Sequence, residues 1–102
     1  MSRASIVEQA PGDFQLLGVL DYLSGPDLRE QGSRLIGASQ ARVCTIDCAG
    51  VKKSSSVGLA LLLAFMRDAG AAGKTLTVKN LPEDMRGIAG VCELLELLPL
   101  ES

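Results

Sequence analysis

Three serines behind two lysines, Lys52-Lys53-Ser54-Ser55-Ser56, run directly into the most apolar stretch of the chain, Val57-Gly58-Leu59-Ala60-Leu61-Leu62-Leu63-Ala64-Phe65-Met66. The hydroxyls could cap a helix by accepting from the free N–H groups of its first turn, with Ser56 expected as the cap. The helix dipole would place a partial positive charge at the same spot. The segment is therefore at once a helix cap, a candidate anion site and a candidate phosphorylation site, with Ser55 and Ser56 as acceptors and Ser54 beside them.

Other chemistry is scarce. The chain contains no histidine, which removes Ser-His-Asp and Cys-His catalysis and the commonest metal ligand. Its three cysteines, Cys44, Cys48 and Cys92, are an odd number without the tight spacing of a zinc or disulfide framework, and read as small buried hydrophobes in a reducing cytosol. No metal or cofactor is expected. Asp68-Ala69-Gly70-Ala71-Ala72-Gly73-Lys74-Thr75 approximates a phosphate-binding loop, but Asp68 occupies the first glycine position. It also leaves a helix for a strand, the reverse of the required order, so a glycine C-cap explains it better. Asp21 and Asp47 could lie near one end of a sheet, where they are expected to accept from loop N–H groups rather than act as acid and base. Nothing here builds an enzyme.

Composition narrows the class further. Of 102 residues, 47% are hydrophobic and 22% charged, which suits one folded domain spanning 1–102. Aromatics are only 3% and the net charge is −2, so stacking platforms and a basic field for nucleic acid are both missing. The apolar run from Val57 to Met66 is too short to cross a bilayer, which needs about 20 residues, and no signal peptide is visible. A cytoplasmic protein without direct membrane insertion is expected.

The elements that must position the Lys/Ser segment follow from periodicity. Ser5 to Gln9 and Phe14 to Leu20 read as strands across a Pro11-Gly12-Asp13 turn. Asp21 to Gly25 is a loop, and Pro26 opens a helix to about Ser39 with Leu28, Leu35 and Ile36 on one face. Arg42 to Cys48 alternates as a strand, followed by the Lys/Ser loop and the apolar helix to about Ala69. Thr75 to Val78 is a strand, Pro82 opens a helix with Met85, Ile88 and Ala89 inward, and Cys92 to Leu98 is a last helical piece. The order β-β-α-β-α-β-α-α predicts an α/β fold with a mixed sheet and crossover helices.

The helix after Ser56 carries the functional expectation. At about 100° per residue, Gly58, Leu59, Leu62, Phe65, Met66 and Ala69 share the face toward the sheet. Val57, Ala60, Ala64, Arg67 and Asp68 fall opposite, with Leu61 and Leu63 on the flanks. A solitary surface helix would be charged there; this one is small and apolar for two turns. A partner protein is therefore expected on Val57, Ala60, Leu61 and Ala64, with Lys52, Lys53, Ser55 and Ser56 as its polar rim.

Several of these residues have a family likeness. Gly18-Val19-Leu20-Asp21 resembles the Gly-x-Leu-Asp segment of STAS domains, and Val43 to Cys48 followed by Val51 and Ser55-Ser56-Val57-Gly58-Leu59 resembles their central strand, loop and second helix. The resemblance covers nearly the whole chain. It implies a SpoIIAA-like fold, a mixed sheet of four or five strands with helices mainly on one face, and a protein-interaction module rather than a catalyst. Within the family, anti-anti-sigma factors are phosphorylated by an anti-sigma kinase on a hydroxyl residue just before the glycine; Val57 stands there. The small STAS subunit of the Mla phospholipid ABC transporter of Gram-negative bacteria shares the run Gly58-Leu59-Ala60-Leu61-Leu62-Leu63, with Ser56 matching a threonine hydroxyl. Ser55 and Val57 depart from its Asp and Gly. That likeness implies an accessory subunit for lipid asymmetry, peripheral to the inner membrane, whose partner is the ATPase subunit of a permease complex. The anti-sigma kinase is the alternative partner.

Overall fold

The computed structural model describes residues 4–91. Its elements are β1 (Ser5–Ala10), β2 (Asp13–Leu20), α1 (Gly25–Ala38), β3 (Val43–Ser54), α2 (Ser56–Ala71), β4 (Thr75–Lys79) and α3 (Glu83–Val91). The helical piece expected over Cys92 to Leu98 lies outside the described residues.

The four strands form one mixed sheet in the order β1-β2-β3-β4. β1 and β2 are an antiparallel hairpin, while β3 and β4 are added in parallel. Gly12 closes the hairpin at φ +79°, and a Cβ there would meet the Val43 carbonyl oxygen. Parallel pairs need crossovers, and α1 and α2 supply them. Crossovers of the usual right hand, taken in one direction across a sheet, land on one face. The burial pattern agrees: Phe14, Leu16 and Leu20 on β2, Cys44, Ile46 and Cys48 on β3, and Leu76 and Val78 on β4 all enter one core with Leu28, Ile36, Leu59, Leu62, Phe65 and Met85 from the helices. The opposite face of the sheet carries the alternate, half-buried residues Gln15, Leu17, Thr45, Asp47 and Thr77. The expected α/β fold with helices on one face is therefore present, with four strands.

The Lys/Ser segment is not the loop that its composition suggests. β3 continues through Lys52 and Lys53 to Ser54, which pairs with Leu20. Two register shifts, between Gln15 and Leu17 and between Gly18 and Val19, let β3 accommodate two more residues than β2 over the shared length. Extra residues of this kind break the alternation by which a strand is recognised. Gly50 sits at the first shift, where a side chain would collide with Leu17. The strand thus carries its chain directly onto the start of α2.

The loop-like motif at the other end of α2 is structural. Gly73 has φ +74°, and the N–H groups of Gly73 and Lys74 donate to the carbonyls of Gly70 and Ala69 at 3.1 and 2.8 Å. This is a helix C-cap with glycine in the left-handed region. Lys74 Nζ donates to the carbonyls of Ser39 and, at 3.0 Å, Ala41, so its charge ties the exit of α1 to the entry of β4. Both the backbone donors and the lysine that a phosphate would need are engaged.

Candidate functional site

The start of α2 is built on Ser55. Its backbone is extended, its Oγ accepts from the Val57 N–H at 3.2 Å, and its own N–H donates to the Leu20 carbonyl at 3.1 Å. Ser55, not Ser56, is therefore the cap, and it fixes the helix to the end of β2. Ser56 is the first helical residue and is exposed. Counting to the apolar run placed the cap one residue late, because β3 delivers Ser54 into pairing and leaves only Ser55 between strand and helix. Ser54 donates its hydroxyl to the Ser55 carbonyl at 2.9 Å, and its N–H reaches Asp84 Oδ2 at 3.3 Å. A side chain at Gly58 would collide with Ser54 Oγ and approach Met85 to 3.0 Å, so the glycine lets α2, β3 and α3 meet.

The outer face of α2 divides into exposed and covered positions. Ala60 is exposed, Val57 and Ala64 are half-buried, and Arg67 is exposed one turn on. Lys52, Lys53, Ser55 and Ser56 are exposed at the head of the helix. Leu61 is a correction: it is 4% exposed and belongs to the core. α1 packs alongside α2 and covers the flank that Leu61 occupies, widening the buried arc beyond the sheet-facing stripe. Met66, expected inward, is half-buried instead. A helical phase assigns one buried face and carries no information about a second helix beside it.

That neighbouring helix completes the site. Tyr22, Gly25, Pro26 and Arg29 join Val57, Ala60, Leu61 and Ala64 around a shallow, largely apolar hollow of about 430 Å³. Val57 packs over Gly25, where an added Cβ would meet its Cγ1 at 3.0 Å. Tyr22 is 77% exposed and Leu23 74%, unusual for large apolar side chains side by side. Their turn is held firmly. Asp21 Oδ1 accepts from the N–H groups of Leu23 and Ser24 at 3.0 Å each, and Ser24 Oγ donates to the Val19 carbonyl at 3.0 Å. Arg29 forms a bidentate pair with Asp68, bridging α1 and α2. Sequence reasoning missed Tyr22, Gly25, Pro26 and Arg29. The available signal was the chain's single tyrosine beside a leucine inside a turn marked by Asp21, Ser24 and Gly25.

The other chemistry-bearing residues serve the scaffold. Asp47 Oδ1 accepts from the Ala49 N–H at 2.9 Å and from Asn80 Nδ2 at 3.0 Å, and the Asn80 bond leads in lowering its pKa. Asn80 stands at φ +57°, so this bond pins a left-handed turn to the register shift in β3. Both aspartates thus accept from loop donors, as expected. Burial pushes the Cys48 thiol up to about 12 and the Cys44 thiol above its ordinary value. Neither supplies a thiolate near neutral pH. Among the described residues no group of His, Cys, Asp and Glu could hold a metal ion, and no helix is long and apolar enough to cross a membrane.

The comparisons with known proteins fit this geometry. The family model described as "Mlab, STAS domain" matches residues 7–99. The chain belongs to this STAS family. STAS domains are generally non-catalytic binding modules. Among solved structures, this STAS domain is similar to a chain of the Acinetobacter MlaFEDB complex in its ATP-bound Vtrans2 conformation, with a TM-score of 0.82 at 22% identity over 95% of this chain and 99% of that one. It is also similar to an anti-sigma factor antagonist from Mycobacterium paratuberculosis, with a TM-score of 0.77 at 20% identity over 98% and 85% of the two chains. The unphosphorylated form of the anti-sigma factor antagonist SpoIIAA gives 0.72 at 16% over 97% and 88%. At these identities the likeness shows the fold. No curated protein matches the chain.

Proposed function

We propose that this STAS domain is a non-catalytic accessory subunit that binds the cytoplasmic ATPase of an Mla-type phospholipid ABC transporter and supports its assembly and activity in outer-membrane lipid asymmetry. The observation that carries the reading is the uncharged outer face of the first two turns of α2, where Val57, Ala60 and Ala64 meet Tyr22 across the hollow. An apolar face rimmed by polar groups suits a protein partner better than solvent. Lys52, Lys53, Ser55 and Ser56 form the rim at the head of the helix, and Leu61 supports the floor from within the core. The family model and the similarity to a chain of the MlaFEDB complex support the choice of partner. In this reading the protein sits at the cytoplasmic side of the inner membrane through its partner complex.

The similarity to anti-sigma factor antagonists favours a second reading, an anti-anti-sigma factor that binds an anti-sigma kinase. Val57 speaks against it. The residue before Gly58 has no hydroxyl, and its side chain lies against Gly25 at the α1–α2 contact.

Affinity purification of the tagged chain from gently solubilised cells separates the two readings. Recovery of an ABC-type ATPase with its permease supports the transporter subunit. Recovery of an anti-sigma kinase without the transporter overturns it.

A further inference from the structure

The hollow between the head of α1 and the outer face of α2 constrains what can lie in it. Gly25, Pro26, Ala60 and Ala64 make a low surface, and Tyr22 rises at one end. The backbone around it belongs to the first turns of α1 and α2 and to the Tyr22 turn before α1. No free strand edge borders the hollow, so a visiting segment finds no backbone partners there. A helix satisfies its own backbone hydrogen bonds, so it can lie on such a surface without backbone partners. Small residues let a helix axis approach closely, and a tyrosine on a rigid turn anchors at low entropic cost.

The charges around the hollow choose the flanks of that helix. Ala60, Ala64 and Arg67 follow one another at helical spacing, so the exposed arginine continues the apolar stripe. Lys52 and Lys53 are exposed just before the other end, where the α2 dipole is also positive. The only acidic group on α2, Asp68, is occupied by Arg29. Asp27 lines a separate hollow with Asp21, beyond Leu23. Asp84 is engaged with Ser54.

We infer that the hollow takes an amphipathic helix of the partner, aliphatic on the face laid between α1 and α2 and acidic along its flanks. This rests on the transporter-subunit reading for the identity of the partner, but the chemistry of the occupant is set by the hollow itself. Tyr22 is the anchor at one end and Arg67 selects charge at the other.

Two peptides test it directly. Each has about 18 residues, or about five helical turns, with leucine on one stripe and either glutamate or lysine on the flanks. The isotope-labelled full chain is titrated with each and followed by amide chemical shifts. The glutamate peptide is expected to bind about tenfold tighter, with shifts centred on Tyr22, Val57, Ala60 and Ala64, and Arg67→Glu is expected to erase the preference. Equal binding of the two peptides, or shifts centred on α3 or the open sheet face, overturns the inference. A second arm uses the purified ATPase subunit. There Tyr22→Ser and Arg67→Glu should each weaken binding about tenfold while leaving the circular dichroism spectrum unchanged. If Ala60→Glu abolishes ATPase binding and these two variants do not weaken it, the helix-in-groove inference falls and the transporter reading stands. If the wild-type chain ignores the ATPase, the transporter reading falls, and the peptide arm still decides the occupant.

Discussion

The spacing of α1 against α2 sets the hollow, and one residue controls it. A methyl group at Gly32 would fall 2.5 Å from Phe65 Cζ, with the neighbouring ring atoms also inside contact distance. Phe65 is fully buried beneath α1 and has no open side to retreat to. Gly32→Ala therefore combines two opposed effects. Alanine favours the helix by about 1 kcal/mol over glycine. Forcing a methyl into a filled core costs about 1–3 kcal/mol, and contact with several atoms of a rigid ring places this site at the upper end. The expected net loss is about 1–2 kcal/mol, worth roughly 4–8 °C in Tm per kcal/mol for a domain of this size. Gly37 is the internal control, because it lies in the same helix and an added Cβ there meets nothing within 4 Å. Gly37→Ala should raise stability by up to about 1 kcal/mol, less if the helix end frays. Urea denaturation of both variants at constant m value measures the pair. Phe65→Leu in the Gly32→Ala background should recover part of the steric cost in a double-mutant cycle. A Gly32→Ala protein as stable as the Gly37→Ala protein would refute the claim that close contact, rather than helix propensity, governs this position.

Ser55→Ala should lose about 1 kcal/mol by uncapping α2, whereas Ser56→Ala should change stability little; the reverse order in urea melts would return the cap to Ser56. Glu8 accepts from the Gly12 N–H at 3.0 Å and from Ser39 Oγ at 2.8 Å, which holds its carboxyl below the ordinary value of 4.5. Its folded pKa lies below its unfolded one, so its contribution is complete above pH 4.5 and is lost as pH falls through the lowered value. Stability measured downward from pH 5 should therefore fall less steeply in Glu8→Gln than in the wild type; parallel profiles would contradict the assignment. Cys48 should resist alkylation at pH 8 in the folded protein and react once urea unfolds it, because burial raises its pKa to about 12.

Much of this molecule is legible in its residues because helices, hairpin and turns each carry their own chemistry. Pro26 and Asp27 mark α1, Pro82 to Asp84 mark α3, and Gly70 to Lys74 mark the end of α2 by the same backbone requirements that the structure displays. The failures have a common origin in tertiary contact. Lys52 and Lys53 read as a loop because register shifts in β3 destroy alternation, and register is a property of two strands together. Leu61 reads as an outer flank because α1 is invisible to a single-helix phase. Tyr22 does not stand out in the sequence for the same reason: a turn residue becomes part of a surface only when the chain brings a distant helix beside it. Ser55 and Ser56 differ by one position, and that position depends on where β3 stops pairing.

The central claim is that the outer face of α2 docks a transporter ATPase, and Ala60 tests it most directly. It is the exposed small residue at the middle of the hollow, and a glutamate there has solvent in the free protein but none under a partner. Binding of wild-type and Ala60→Glu chains to the purified ATPase subunit is measured by isothermal titration calorimetry, with the urea midpoint as a check on folding. The account predicts measurable binding by the wild type and its abolition in Ala60→Glu at an unchanged midpoint. Binding by both chains with equal affinity would contradict it.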